Sequence, residues 1–264
     1  MAQRKDARWA VISCTHVPYQ SERALERLLQ ELAKASDEKP LTHFVHLGDL
    51  IDAEAASVHR DDPSRHTLYD EYCQASDVLR RIRRVLPKDC TLILHDGNHD
   101  DNVQKQDSRR IDCQVRPMCD PRKLTATKDE FLLWKNIPYR KGADGCFQLG
   151  PVIFAHGWSA AANSDELEAL QLAYACGGHA WRIIIRGHTH RPARPTQCRR
   201  TARALLPWWY ANVGHTAFDE RAAYTYRFDV EQWGRGMILG ECRLGRHHYS
   251  GKEWEAELIS LDES

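Results

Sequence analysis

The chain is 264 residues long and 42% hydrophobic, enough to bury the core of one large domain. Its 37 Lys and Arg balance 37 Asp and Glu, so no global field draws it toward nucleic acid or a membrane surface. Nine cysteines form no CxxC pair, the opening MAQRKDAR precedes only a short apolar run, and no stretch approaches the about 18 apolar residues that cross a bilayer; a cytoplasmic protein with reduced thiols is expected, and a membrane role is not.

Residues 8–13 read as a buried strand that ends in Cys14-Thr15-His16. A helix follows over 20–35, with Ser21 as a cap and Leu25, Leu28, Leu29 and Leu32 in one stripe at i, i+3, i+4, i+7. A second strand over 41–47 ends in Gly48-Asp49, and a helix over 66–86, with the arginine clump RRIRR at 80–84, stops at Pro87. A third strand, 90–95, ends in DGNHD, after which 104–124 has no clear period and reads as an insertion or lid-like loop. A helix is expected around 126–136, then strands at 144–149 and 151–155, the latter ending in AHGW. A helix over 163–176 has acidic residues in its first turn, and a strand over 181–186 ends in GHTH. Short strands and turns fill 196–245, including WWYANVG and AAYTYRFDV. Strands alternating with helices argue for an α/β architecture.

Five segments place His, Asp or Asn just after a strand: CTH at 14–16, GDLID at 48–52, GNHD at 97–100, AHG at 155–157 and GHTH at 187–190. In an open α/β sheet the carboxyl ends of the strands form the ligand-binding edge, so these clusters should converge. One such cluster is an ordinary turn; five in a row carrying ligand types are not. Imidazoles mixed with a carboxylate and an amide suit borderline divalent metals such as Zn, Mn or Fe.

The series resembles the calcineurin-like metallophosphoesterases, whose pattern runs Asp-x-His, Gly-Asp-x-x-Asp, Gly-Asn-His-Asp/Glu, a further His and Gly-His-x-His. The resemblance spans residues 9–190 and implies a single domain over 1–264, built as a four-layer αββα sandwich with a site for two divalent ions (Mn, Fe or Zn) at one edge. It implies that Asp49 bridges the ions, that His16 and His190 bind the first, and that Asn98, His156 and His188 bind the second. His99 would face substrate, with Asp100 or another carboxylate orienting its ring, and Asp52 would support the ligands from behind. Two such ions, about 3.5–4 Å apart, acidify a bridging water that attacks phosphorus in line.

The sequence departs from the pattern at Cys14, where the first motif calls for aspartate. Three readings are open: a thiolate ligand that biases the site toward zinc or iron, a weakened first site, or a site that has lost catalysis. Ala53-Glu54-Ala55 stands where protein Ser/Thr phosphatases carry an Arg-Gly that grips phosphate, which disfavours that activity. Arg191-Pro192 and YANVG are shared with small bacterial and phage-type members. Arg191 and, after the Asp49 motif, His59, Arg60, Arg65 and His66 are candidate substrate contacts. His43, His46 and His95 read as packed or supporting residues, His247-His248 as surface, and Trp208, Trp209 and Tyr210 as core between sheets. The function expected is a metal-dependent phosphoesterase acting on diesters more than monoesters, nucleic acid among them; the rival is a noncatalytic metal-supported binding or scaffold protein.

Overall fold

The computed structural model describes residues 6–57, 66–104, 119–161, 163–177, 181–199, 205–217, 232–245 and 252–262. Strands β1 (Asp6–Ile12), β2 (His43–His46), β3 (Thr91–His95) and β4 (Lys135–Ile137) run parallel, and β10 (Gly236–Arg243) and β11 (Trp254–Ser260) extend their sheet in the order β11-β10-β1-β2-β3-β4. The second sheet has the order β5-β6-β7-β9-β8: β6 (Val152–Ala155), β7 (Arg182–Arg186) and β9 (Leu205–Asn212) are parallel, with β5 (Cys146–Leu149) and β8 (Ala193–Arg199) antiparallel at its edges.

The two-residue alternation of a strand explains why these segments are apolar throughout: each has two faces to bury. From β1, Trp9 and Val11 join Val45, Ile93, Phe154, Ile183 and Ile185 between the sheets. Ala10 and Ile12 point the other way, under α1 (Glu22–Glu38) and α2 (Leu68–Val85). On the far side, Ile153 and Ile184 pack against Ala169, Leu172 and Ala173 of α5 (Ser164–Ala175). The result is the four-layer αββα sandwich.

Local chemistry sets the helix starts. Ser21 accepts from the Ala24 amide (3.1 Å) at the head of α1, and Thr67 and Asp70 form a reciprocal capping box at α2. Helix α1 then buries Leu25, Leu28 and Leu32, each contributing about 1.5–3 kcal/mol.

Two expectations need correction. The helix expected over 126–136 is only one turn, α4 (Lys128–Phe131), because Lys135–Ile137 pairs with β3 as an edge strand, and that pairing outweighs local helical preference. The aromatic run of β9 does not all lie between the sheets: Trp209 does, whereas Trp208 and Tyr210 alternate onto the α5 side. Helix α5 opens on Asn163 without a side-chain cap. Of the irregular stretch at 104–124, residues 105–118 lie outside the described residues, as do AAYTYRFDV and His247-His248. No helix among the described residues is long and apolar enough to cross a membrane.

Candidate metal centre

The loops leaving β1, β2, β3, β6 and β7 meet at one edge, and main-chain hydrogen bonds lace the first two together: Cys14 N–H to Gly48 O, His16 N–H to Asp49 O and Val17 N–H to Leu50 O, each 2.9 Å. Cys14, His16, Asp49, His188 and His190 all have left-handed backbones, with φ between 48° and 67°. Such conformations cost non-glycine residues on the order of 1–3 kcal/mol and persist where the surroundings over-determine them, commonly at functional sites. Gly97 is required for close approach: a Cβ there would collide with the Asp49 carboxylate.

Asp49 is the hub. Its Oδ1 accepts from the His99 amide (2.9 Å) at the start of α3 (Asn98–Asn102). Its Oδ2 lies 3.1 Å from His156 Nε2, 3.8 Å from His16 Nε2 and 4.0 Å from Cys14 Sγ. Burial alone pushes its carboxyl up, but His156, His99 and His16 overcome this and hold it well below the usual carboxylate range.

The hydrogen positions on the imidazoles follow from their outer partners. His156 Nδ1 lies 2.8 Å from the Leu47 carbonyl, which can only accept, so Nδ1 carries hydrogen and Nε2 is turned inward. That Nε2 is 3.1 Å from Asn98 Oδ1 as well as from Asp49 Oδ2. His16 Nδ1 is tied to Asp52 Oδ1 (3.0 Å), and its Nε2 faces His190 Nε2 at 3.2 Å. Potential ligand atoms of five side chains thus converge, an arrangement suited to a cation. Burial keeps His16 and His190 below the ordinary imidazole value and lowers His188 to about 3, so these rings are neutral and ready to donate. Two donor groups emerge, Cys14 with His16 and His190, and Cys14 with Asp49 and His156, the ligand atoms of each within 4.8 Å of one another. A divalent metal fits this set of imidazole, carboxylate, amide and sulfur. His16, Asp52 and His99 also cluster, but there Asp52 accepts from the outer side of the His16 ring.

His99 sits at the rim with its Nδ1 donating to the Asp52 carbonyl (2.8 Å) and its ring 4.6 Å from that of His16, edge to face. Burial works against its charge, yet Asp49 and Asp52 outweigh this and raise it above the ordinary imidazole value. The carboxylate beside its ring is Asp52, 3.4 Å from Nδ1. Of the two alternatives expected, Asp100 or another carboxylate, the one beside the ring is thus the other; the oxygens of Asp100 accept from the Gly97, Leu50 and Ile51 amides and hold the two loops in register.

His188 brings its ring 5.1 Å from that of His156 and donates its amide to Cys14 Sγ (3.3 Å). Arg191 follows His190 and is half-buried, with no contact to the centre among the described residues. His59, Arg60 and Arg65 lie outside the described residues; His66 meets Tyr19 edge to face. His46 supports the centre through Thr15 and Gly48, and His95 is wholly buried.

The residues that brace the GHTH turn are absent from the expectations. Arg186, fully buried, pairs with Asp165 (3.0 Å) and Glu168 (3.3 Å) and donates to the Ser159 carbonyl (3.0 Å). Asn212 joins Asp165, Thr189 Oγ1 and the Gly187 carbonyl at 2.9, 2.7 and 3.1 Å. Glu168 takes the Trp158 amide (3.1 Å), so one network holds both the His156 and His188 loops. A charged residue closing the otherwise apolar run RIII was the available signal.

The model of the calcineurin-like phosphoesterase family matches residues 7–192. The chain belongs to that family. Solved structures similar to this phosphoesterase include the nuclease MPE of Pseudomonas putida, with a TM-score of 0.38 and 13% identity over 88% of this chain and 84% of that one. A PhoD structure has a TM-score of 0.42 and 11% identity, covering 89% of this chain and 63% of PhoD. No curated protein gives a significant match.

Proposed function

We propose that the protein hydrolyses phosphate esters, phosphodiesters in preference to monoesters, with two divalent ions, one held by His16, His190 and Asp49 and the other by Asp49, Asn98, His156 and His188. The observation that carries this reading is the gathering of the His156 and His16 Nε2 atoms around the Asp49 carboxylate, with their outer nitrogens tied to the Leu47 carbonyl and Asp52. When bound, such ions lower the pKa of water and neutralise charge on phosphate.

The chain's own residues do the rest. The Asp49 carboxylate, fixed by the His99 amide, is shared between the two groups. His99 has Nδ1 committed to the Asp52 carbonyl, which leaves Nε2 to hold a phosphate oxygen or to give a proton to the leaving oxygen. Its raised proton affinity suits that role near neutral pH. A cytoplasmic setting fits cysteines without a pairing pattern in the sequence.

The test is to quantify metals in the purified protein and to assay an activated aryl diester and the matching monoester with manganese, zinc and iron(II). Turnover with the diester favoured is expected. A folded protein with both groups loaded that turns over neither ester under any metal would refute hydrolysis and leave a metal-supported binding protein. Faster turnover of the monoester would overturn the diester preference.

A further inference from the structure

Cys14 stands where the family pattern has a carboxylate, and the surroundings of its sulfur answer what it is for. The sulfur is buried and lies in both donor groups at once, with His16 and His190 on one side and Asp49 and His156 on the other. Two polar groups address it: the His188 amide donates to Sγ at 3.3 Å, and the Ser13 hydroxyl lies 3.0 Å away. A sulfur that only packs needs neither, whereas a negatively charged one is stabilised by both.

The backbone is fixed to aim it. Cys14 adopts φ of 54°, its amide donates to Gly48 O (2.9 Å), and its carbonyl accepts from Thr216 (3.2 Å). Gly187 keeps the opposite wall open: a Cβ there would strike the Ser13 hydroxyl and come within 3.6 Å of the sulfur. Burial and the neighbouring Asp49 carboxylate push the Cys14 thiol up, so a thiolate here needs a cation beside it; with one bound, it restores the negative charge that the missing carboxylate would have brought.

The geometry points to Cys14 as a thiolate ligand placed between the two donor groups, selecting zinc or iron(II) over magnesium and manganese. This rests on the metal-dependent reading above. On binding, the S–H bond breaks, its proton leaves to solvent, and a sulfur–metal bond forms. Thiolate with imidazole suits zinc and iron, whereas a carboxylate in place of the thiolate would suit magnesium and manganese better.

The test uses the full chain, stripped with a chelator and titrated with cobalt(II), zinc and manganese. With cobalt, wild type is expected to show a sulfur-to-metal charge-transfer absorption in the near ultraviolet. Cys14→Ser should lose that absorption while keeping the visible bands of imidazole-bound cobalt. Cys14→Asp should move the ratio of zinc to manganese affinity toward manganese by about tenfold or more. X-ray absorption of zinc-loaded wild type, which needs no variant to fold, should show a sulfur shell near about 2.3 Å. A wild type that binds cobalt without the charge-transfer band, or a Cys14→Ser band as strong as wild type's, would overturn thiolate ligation alone. A folded wild type that binds no divalent ion would overturn it together with the metal-dependent function.

Discussion

In one donor group the His16 ring is backed by the Asp52 carboxylate; in the other the His156 ring is backed by the Leu47 main-chain carbonyl. The first support can be removed by a side-chain change and adds negative charge behind its imidazole. The second is built into the end of β2 and adds none. What holds the second group is instead its turn, through Arg186, Asp165, Glu168 and Asn212. The His16 side is therefore held by electrostatics near the ligands, and the His156 side by a network behind them, so substitutions should divide the two.

The largest effect should come from the residue both groups share. Asp49→Asn keeps the shape of the hub but removes its charge, with His156 Nε2 at 3.1 Å and His16 Nε2 at 3.8 Å left facing an amide. Metal content should fall in both groups, and kcat/KM against an activated diester should drop on the order of 10³-fold or more. Unchanged metal content in that variant would remove Asp49 from its shared position.

Next comes the network. Arg186→Met leaves the buried Glu168 carboxylate and the partly buried Asp165 carboxylate without their cation, a change that typically costs about 3–5 kcal/mol. Urea unfolding of the metal-free protein should show that loss, and metals should dissociate from the His156 group before the His16 group. A variant as stable as wild type would show that the pairing carries no net stability.

Asp52→Asn attacks the other side. It replaces the carboxylate that fixes His16 Nδ1 and lies beside His99, and the loss of such a partner typically weakens metal affinity about 10- to 100-fold. The loss should be confined to the group of His16 and His190, and the pH dependence of kcat should shift to lower values as the rise in His99 proton affinity shrinks. Equal weakening of both groups would erase the distinction between them.

How far the sequence reveals this division depends on the range of each interaction. Ligand types after five strands need no knowledge of packing, because a strand end and a glycine turn are local, and His16, Asp49, Asn98, His156, His188 and His190 do converge on one edge. The α/β architecture was legible from strands alternating with helices, whereas the four layers came from the family resemblance. Lys135–Ile137 was misread as helix because its strand state comes from pairing with β3, distant in the chain. Arg186 and Asn212 were passed over because their partners lie 21 to 47 positions away, at Asp165, and nothing in a linear reading joins them. Asp52 was recognised as a support, but its choice of both His16 and His99 over Asp100's depended on loop geometry.

The smallest effect is a slope with pH, and it concerns the brace that both donor groups share. His46 accepts from the Gly48 amide at Nδ1 (3.1 Å) and meets Thr15 Oγ1 at Nε2 (2.8 Å), so it joins the loop carrying Cys14 and His16 to the turn carrying Asp49. With Nδ1 as acceptor, the ring is neutral; protonation there would eject the Gly48 amide from its partner. Burial lowers His46 to about 3, against about 6.5 in the unfolded chain. Between those values the unfolded chain binds the extra proton, so this stability is complete above about pH 6.5 and is lost as pH falls toward 3, by at most about 1.4 kcal/mol per pH unit for one ring. Buried His95, also lowered to about 3, adds to the slope in the same direction. His46→Gln removes one titrating ring, so the metal-free variant should lose stability less steeply than wild type from pH 6.5 to 5 in urea unfolding. Parallel curves would show that His46 does not carry the acid sensitivity.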